Sequence, residues 1–239
     1  MNSSANTKTA FITGANRGIG REIAGQLAAQ GFHVLLGIRN ATAAAETVAA
    51  LRETGATSDW ISIDCNSPES IHSAVATAQI LVPRLDVLIN NAAILTDRGQ
   101  PTETLDVEAL RETLETNVVA QLRVTQAFLP LLRKSKSPRI INMSSRSGQF
   151  QRMQDDVQAP AYQISKTALN ALTCLFSAEL KGEGFAVNCM SPGWCRTEMG
   201  GADATSSAAE GADTAVWLAT EAPQSLTGKF IHDRAEIPW

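Results

Sequence analysis

The fragment AYQISK, residues 161–166, sets a phenol and an ammonium four positions apart, at Tyr162 and Lys166. On a helix that offset stacks both side chains on one face. A phenol, with an ordinary pKa of about 10, is a poor acid–base group at neutral pH, and a neighbouring cation favours its ionised form. Tyr162 is the only tyrosine in the chain, so no other phenol can take such a role. An ordinary helix surface also carries Tyr/Lys pairs, and the groups nearby must decide between the two. Ser144 and Ser145 follow an apolar run at 139–143, where a hydroxyl can bind a carbonyl oxygen and steady it beside the phenol. They form no Ser-His-Asp set: neither lies in a G-x-S-x-G elbow, and His33, His72 and His232 fall in or near regular segments. Metal ligands are missing too, with no H-E-x-x-H and no metal-type spacing among Cys65, Cys174, Cys189 and Cys195. A phenol, an ammonium and a hydroxyl suit proton delivery to an alkoxide formed by hydride transfer.

The elements that must position these groups are legible as a pattern. Apolar runs at 9–13, 33–38, 59–64, 85–90, 139–144, 185–190 and 229–232 read as seven strands. Between the first two, Ile19, Ile23 and Leu27 repeat at helical spacing and Gly31 stops the helix. Further helices are expected over 41–54, 67–79, 104–133, 159–183 and 207–220. Strands alternating with helices predict an α/β fold of three layers, a mostly parallel sheet flanked by helices on both faces. Ligands of such sheets sit beyond the carboxyl ends of the strands. The polar clusters at 14–20, 39, 64, 90–93, 144–145 and 192–197 all fall at that edge.

One of those clusters identifies a hydride carrier. In TAFITGANRGIG, residues 9–20, Gly14, Gly18 and Gly20 lie between a strand and a helix. Glycines there permit a tight turn, close approach to a pyrophosphate and close packing of helix on sheet, and the helix N-terminus offers its positive dipole end. A mononucleotide P-loop would need Gly-Lys-Ser/Thr, whereas Gly20 precedes Arg21 and Glu22. No acidic residue lies between Glu22 and Glu46 to take the adenosine ribose hydroxyls. Arg39 after the second strand and Arg17 in the turn instead suit a 2′-phosphate, and so NADPH/NADP+. Asp64 could accept from the adenine amino group or serve as a turn aspartate before Asn66-Ser67-Pro68. Asn90 and Asn91 could satisfy backbone groups across the cleft.

The chain's 239 residues can form one domain, 1–239, and no low-complexity linker divides them. A net charge of −4 with no Lys/Arg block argues against nucleic acid as a partner. No apolar run reaches transmembrane length, and MNSSANTKTA lacks the hydrophobic stretch of a leader, so no membrane is expected. The cysteines read as reduced thiols of a cytoplasmic protein.

Taken in order, Thr13-Gly14 through Gly20, Asp64, Asn90-Asn91-Ala92, Asn117, Ser145, Tyr162 with Lys166, Pro192-Gly193 and Thr197 resemble the short-chain dehydrogenase/reductase family over essentially the whole chain. The tail, with Thr227-Gly228-Lys229-Phe230 and Pro238-Trp239, is similar to the carbonyl-reductase-like branch, whose members reduce ketones, aldehydes and quinones with NADPH. The resemblance implies a three-layer Rossmann fold with a mostly seven-stranded parallel sheet. It makes Tyr162 the acid in reduction and the base in oxidation, with Lys166 lowering its pKa and holding the nicotinamide ribose. Ser145 would bind the substrate oxygen, and Asn117 would hold a relay water leading to Lys166. Around the cofactor it places Gly14, Asn16, Arg17, Gly18, Ile19, Gly20, Arg39, Asp64, Cys65, Asn91, Ala92, Pro192, Gly193, Trp194 and Thr197, besides Tyr162 and Lys166. An NAD(P)+-dependent alcohol or steroid-type dehydrogenase fits the same motifs, as does a dinucleotide-binding interaction protein without catalysis.

Three stretches depart from the family pattern. NNAA stands where NNAG is usual, so Ala93 replaces a glycine. Sixteen residues separate Ser145 from Tyr162, a longer stretch than is common, yet shorter than the insertion that keeps the animal carbonyl reductases monomeric. A homodimer or homotetramer is therefore expected. The loop after Thr197 is short, which suggests an open pocket for a small-molecule carbonyl or alcohol substrate. Stretches 93–99, 146–161 and 194–210 would border that substrate, with Leu95, Gln149, Phe150, Met153, Trp194 and Met199 as lining candidates and ordinary packing as the alternative for the apolar ones.

Overall fold

The computed structural model describes residues 7–239; the first six, part of the segment read above as lacking a leader, lie outside the described residues. Strands β1 (Thr9–Thr13), β2 (His33–Ile38), β3 (Ser58–Ser62), β4 (Val87–Asn90), β5 (Arg139–Met143), β6 (Ala186–Met190), β7 (Phe230–His232) and β8 (Ala235–Ile237) form one sheet in the order β3-β2-β1-β4-β5-β6-β7-β8. The first seven run parallel, and β8 pairs antiparallel with β7. The eighth strand adds to the seven expected. Its hairpin turns on Asp233 and Arg234, both with positive φ (47° and 60°), the geometry of a tight two-residue connection. The strand itself, Ala-Glu-Ile, is too short and polar to announce itself.

Helices cover both faces: α1 (Gly18–Ala29), α2 (Ala41–Glu53), α3 (Pro68–Leu81), α4 (Val107–Leu114), α5 (Ala120–Leu132), α6 (Phe150–Asp155), α7 (Pro160–Leu180) and α8 (Ala208–Thr220). Alternate strand residues feed two separate cores, as a two-residue period requires. Ala10, Ile12, Val34 and Leu36 join Ile23 and Leu27 of α1 and Leu218 of α8 on one face. Phe11, Leu35 and Leu88 join Phe128 of α5 and Phe176 of α7 on the other, with the Phe11 and Phe128 rings stacked at 4.4 Å. The expected helix over 104–133 is divided. Asp106 caps α4 by accepting from the Glu108 amide, and a π-turn at Glu115–Val119 joins it to α5. Wider turns of this kind re-aim side chains without ending the helix.

The strand order reverses where β4 pairs on the far side of β1 from β2. The carboxyl ends of these strands therefore open onto a crevice at the place where α/β sheets bind ligands. Among the described residues no helix is long and apolar enough to cross a membrane.

Candidate active site

Helix α7 carries the phenol and the ammonium, and its first turn is held by groups from outside the helix. Ala159, its N-cap, offers no side-chain acceptor. Asp97 replaces one: fully buried, it accepts from the Ala161 amide at 2.6 Å, while its other oxygen has no partner. Gln163 Oε1 accepts from the amides of Gln158 and Ala159. Tyr162 is thereby fixed at the crevice edge, half-buried, and the Lys166 ammonium lies 5.3 Å from its ring centroid. Lys166 is 1% exposed and donates to the Met143 carbonyl at 2.8 Å.

The two serines after β5 part ways. Ser144 is buried and donates to Asn170 Oδ1 at 2.5 Å, a packing role. Ser145 accepts from the Ser147 amide at 3.1 Å, and its hydroxyl lies near enough to Tyr162 to lower the phenol's pKa. Burial pushes the Tyr162 pKa up to about 12, against the pull of Ser145 and of the Arg98 charge. Burial pulls Lys166 down to about 8. The Arg98 charge pulls the phenol down, while the Lys166 ammonium is costly in so dry a place and is turned to the Met143 carbonyl. At neutral pH the phenol holds its proton.

Asn117 sits in the π-turn, fully buried. Its Oδ1 accepts from the Ile94 amide at 2.8 Å, and its Nδ2 donates to the Ile94 carbonyl at 2.9 Å and to Ser165 Oγ at 3.0 Å. Ser165 in turn donates to the Tyr162 carbonyl at 2.7 Å. The Asn117 side chain is a clamp between the loop after β4 and the helix that bears Tyr162.

On the cofactor side, Gly14 and Gly18 adopt positive φ, and a Cβ on Gly20 would stand 2.4 Å from the Gly14 carbonyl oxygen. Helix α1 has no side-chain cap and no acidic residue in its first turn, so its amides and dipole are free for an anion. Asn91 Nδ2 braces the turn by donating to the Thr13 and Gly14 carbonyls, and the Ala92 amide donates to Thr13 Oγ1. Asn90 is spent on Thr125 and Asn142. Asn16 and Ile19 lie within the turn and at the start of α1. Thr197 packs on the turn, 3.2 Å from where a Gly18 Cβ would be, and accepts from the Gly200 amide. Gly193, with φ 79°, turns the chain out of β6 after Pro192.

The two arginines do not converge without acids, as the sequence suggested. Arg17 pairs with Glu198 and Arg39 faces Asp64 at 3.8 Å, both arginines largely exposed. The acids missing along the second strand come from elsewhere in the chain. Asp64 also accepts from the Asn66 amide, the turn role left open above. Burial pushes the Cys65 thiol up to about 12, which leaves it protonated.

The substrate candidates divide. Met199 and Trp194 belong to the loop after β6: the Met199 carbonyl accepts from Arg98 at 2.5 Å, and Trp194 Nε1 donates to the Gly200 carbonyl. Leu95 precedes Asp97 on the opposing loop. Gln149 is buried and donates to the Pro238 carbonyl at 2.6 Å, and it lines a polar cavity of about 570 Å³ with Arg146, Arg152 and His232. Phe150 and Met153 lie on α6, Phe150 exposed and Met153 half-buried. Asp97, Arg98, Ser165 and Glu198 escaped the sequence. Their only signal was a charged pair, Asp97-Arg98, set in an otherwise apolar and polar-neutral loop.

The fold and this arrangement define a dinucleotide-site α/β protein with a Tyr–Lys–Ser cluster at the crevice. A family model described as short chain dehydrogenase matches residues 8–208, and the chain belongs to that family. A short-chain dehydrogenase of Penicillium roqueforti, anuI, is 37% identical over 245 residues, 96% of each chain. Among solved structures, the carbonyl reductase Sniffer of D. melanogaster is similar at a TM-score of 0.89 and 27% identity, covering 98% of this chain and 100% of that one. The NADPH-bound carbonyl reductase from chicken fatty liver is similar at 0.88 and 27%, covering 98% and 99%.

Proposed function

We propose that this protein is an NADP(H)-dependent oxidoreductase that reduces a ketone or aldehyde to an alcohol. The observation that carries it is the meeting of Tyr162, Lys166 and Ser145 at the crevice beside an uncapped, glycine-lined helix N-terminus. That turn fits a dinucleotide: a Cβ would fill the cradle at Gly20, and α1 leaves its amides free. Gly14 to Gly20 and Thr197 would hold the pyrophosphate, Arg17 and Arg39 the 2′-phosphate, and Lys166 the nicotinamide ribose. Likeness to a carbonyl reductase solved with NADPH supports the same choice. When bound, NADPH supplies the hydride.

Ser145 holds the carbonyl oxygen. Tyr162, protonated at neutral pH, donates its proton to that oxygen as the carbon accepts the hydride, which yields the alcohol. The Lys166 ammonium supports the phenolate left behind. Because the Asn117 side chain is committed to Ile94 and Ser165, reprotonation through a water at this turn would use the Asn117 backbone. Replacing Tyr162 by Phe is expected to cut NADPH oxidation with a ketone, aldehyde and quinone panel by about a thousandfold while NADPH still binds. Undiminished turnover in that variant would refute the proposal. Relatives named (+)-neomenthol dehydrogenase, one from Arabidopsis thaliana at 30% identity, favour alcohol oxidation as the second reading. The ratio of initial rates in the two directions decides it.

The same reading includes one domain with its substrate edge at 93–99, 146–161 and 194–210, and a cytoplasmic site supported by four free cysteines. It includes a homodimer or homotetramer, supported by Ile164 and Leu175 exposed on α7.

A further inference from the structure

Arg98 lies between two pinned residues. Asp97 before it is locked to the first turn of α7, and Gly99 after it donates its amide to the Gln158 carbonyl at 2.7 Å. The backbone of Arg98 therefore cannot drift from Tyr162, which lies one residue beyond the amide that Asp97 holds. Its side chain, exposed, reaches from the loop after β4 to the loop after β6 and donates one N–H to the Met199 carbonyl. That uses one of five donors. Among the described residues no carboxylate pairs with it: Asp97 is turned to the Ala161 amide, and Glu198 to Arg17. An unneutralised guanidinium thus bridges the loop after β4 and the loop that carries Met199, close enough to Tyr162 for its charge to be felt there. A planar fork of free donors is matched best by an oxyanion.

We propose that Arg98 is a specificity-determining residue that docks a carboxylate of the substrate, so that the preferred carbonyl compounds are keto or aldehydo acids rather than neutral ketones. This rests on the reductase reading for the reaction itself, though not for the binding. The loop 194–201 contributes the second wall, since its Met199 carbonyl orients the guanidinium.

The test uses the NADPH-loaded enzyme and a matched pair, 4-acetylbenzoate and 4-acetylbenzamide. The wild type is expected to prefer the acid by about tenfold in kcat/KM, and Arg98→Met to abolish the preference, with Arg98→Lys keeping part of it. The ratio is the readout, so a general loss from loosened loops cancels. A second arm needs no turnover: calorimetric dissociation constants of benzoate, benzamide and inorganic phosphate for the NADP+-loaded protein. Tighter benzoate than benzamide in the wild type, lost in Arg98→Met, supports the assignment. Equal affinities in the wild type, or a preference that survives in Arg98→Met, overturn it, and phosphate bound as tightly as benzoate reassigns the group to free anions. If neither acetyl compound is reduced, the reductase reading fails for them while the binding arm still judges Arg98.

Discussion

Helices α1 and α7 both start at the crevice, and neither has a side-chain cap of its own on its N-cap residue. The protein finishes them in opposite ways. The start of α1 is stripped: three glycines in the turn, no acid in the first turn, and Gly20 pressed against the Gly14 carbonyl so that the helix sits close to the sheet. The start of α7 is filled, with Asp97 on the Ala161 amide and Gln163 on the amides before it. An open helix end attracts an anion from solution; a closed one spends the same dipole on holding a neighbouring side chain still. One end therefore serves binding and the other serves the position of Tyr162.

The largest break of this contrast comes from Gly20→Ala. The new Cβ would stand 2.4 Å from the Gly14 carbonyl oxygen and 2.5 Å from Asn91 Nδ2, so the turn or the helix must shift. Overpacking of this kind costs about 1–3 kcal/mol, and the displaced amides no longer meet a pyrophosphate. NADPH affinity, read by fluorescence titration, is expected to fall by about ten- to a hundredfold. Unchanged affinity would mean that the open end of α1 is not the anion site.

Asp97→Ala attacks the closed end and should act on the other parameter. It removes the acceptor for the Ala161 amide, a loss of about 1–2 kcal/mol in stability by thermal unfolding. With the first turn of α7 freed, kcat for reduction should fall several-fold while NADPH affinity holds. Asp97→Asn keeps an acceptor for the Ala161 amide, so it should recover part of both. An Asp97→Ala variant that lost NADPH binding as badly as Gly20→Ala would erase the distinction between the two helix ends.

The same contrast separates what could be read from the sequence. The glycine turn, the alternation of strands and helices, and the four-residue offset of Tyr162 and Lys166 are local patterns, and the structure contains each of them. Asp97 meets its partner 64 positions away and Glu198 meets Arg17 across 181, so no window on the chain holds both members of either pair. The π-turn around Asn117 lies inside a continuous helical stretch and has no compositional mark of its own. Arg17 and Arg39 show the consequence most plainly. The absence of acid along the second strand is real, but folding pairs Glu198 with Arg17 and sets Asp64 against Arg39. Cap, clamp and charge partners at the closed end are properties of the packing, whereas an open end consists mainly of what its own residues leave out.

Those exposed pairs yield the smallest prediction. Arg17 is 66% exposed and Glu198 72%, a geometry in which an ion pair contributes little and is readily exchanged. A 2′-phosphate carries more charge than one carboxylate and offers more acceptors, so it should take Arg17 from Glu198 rather than add to the pair. Glu198→Gln removes the competitor and is expected to tighten NADPH by about two- to threefold, with NADH unchanged. Arg39→Ala should do the reverse, weakening NADPH more than NADH. If Glu198→Gln weakened NADPH instead, the carboxylate would be holding Arg17 in place for the phosphate, and the pair would belong with Asp97 and Ala161 as a protein group that seals a helix end rather than one that yields it.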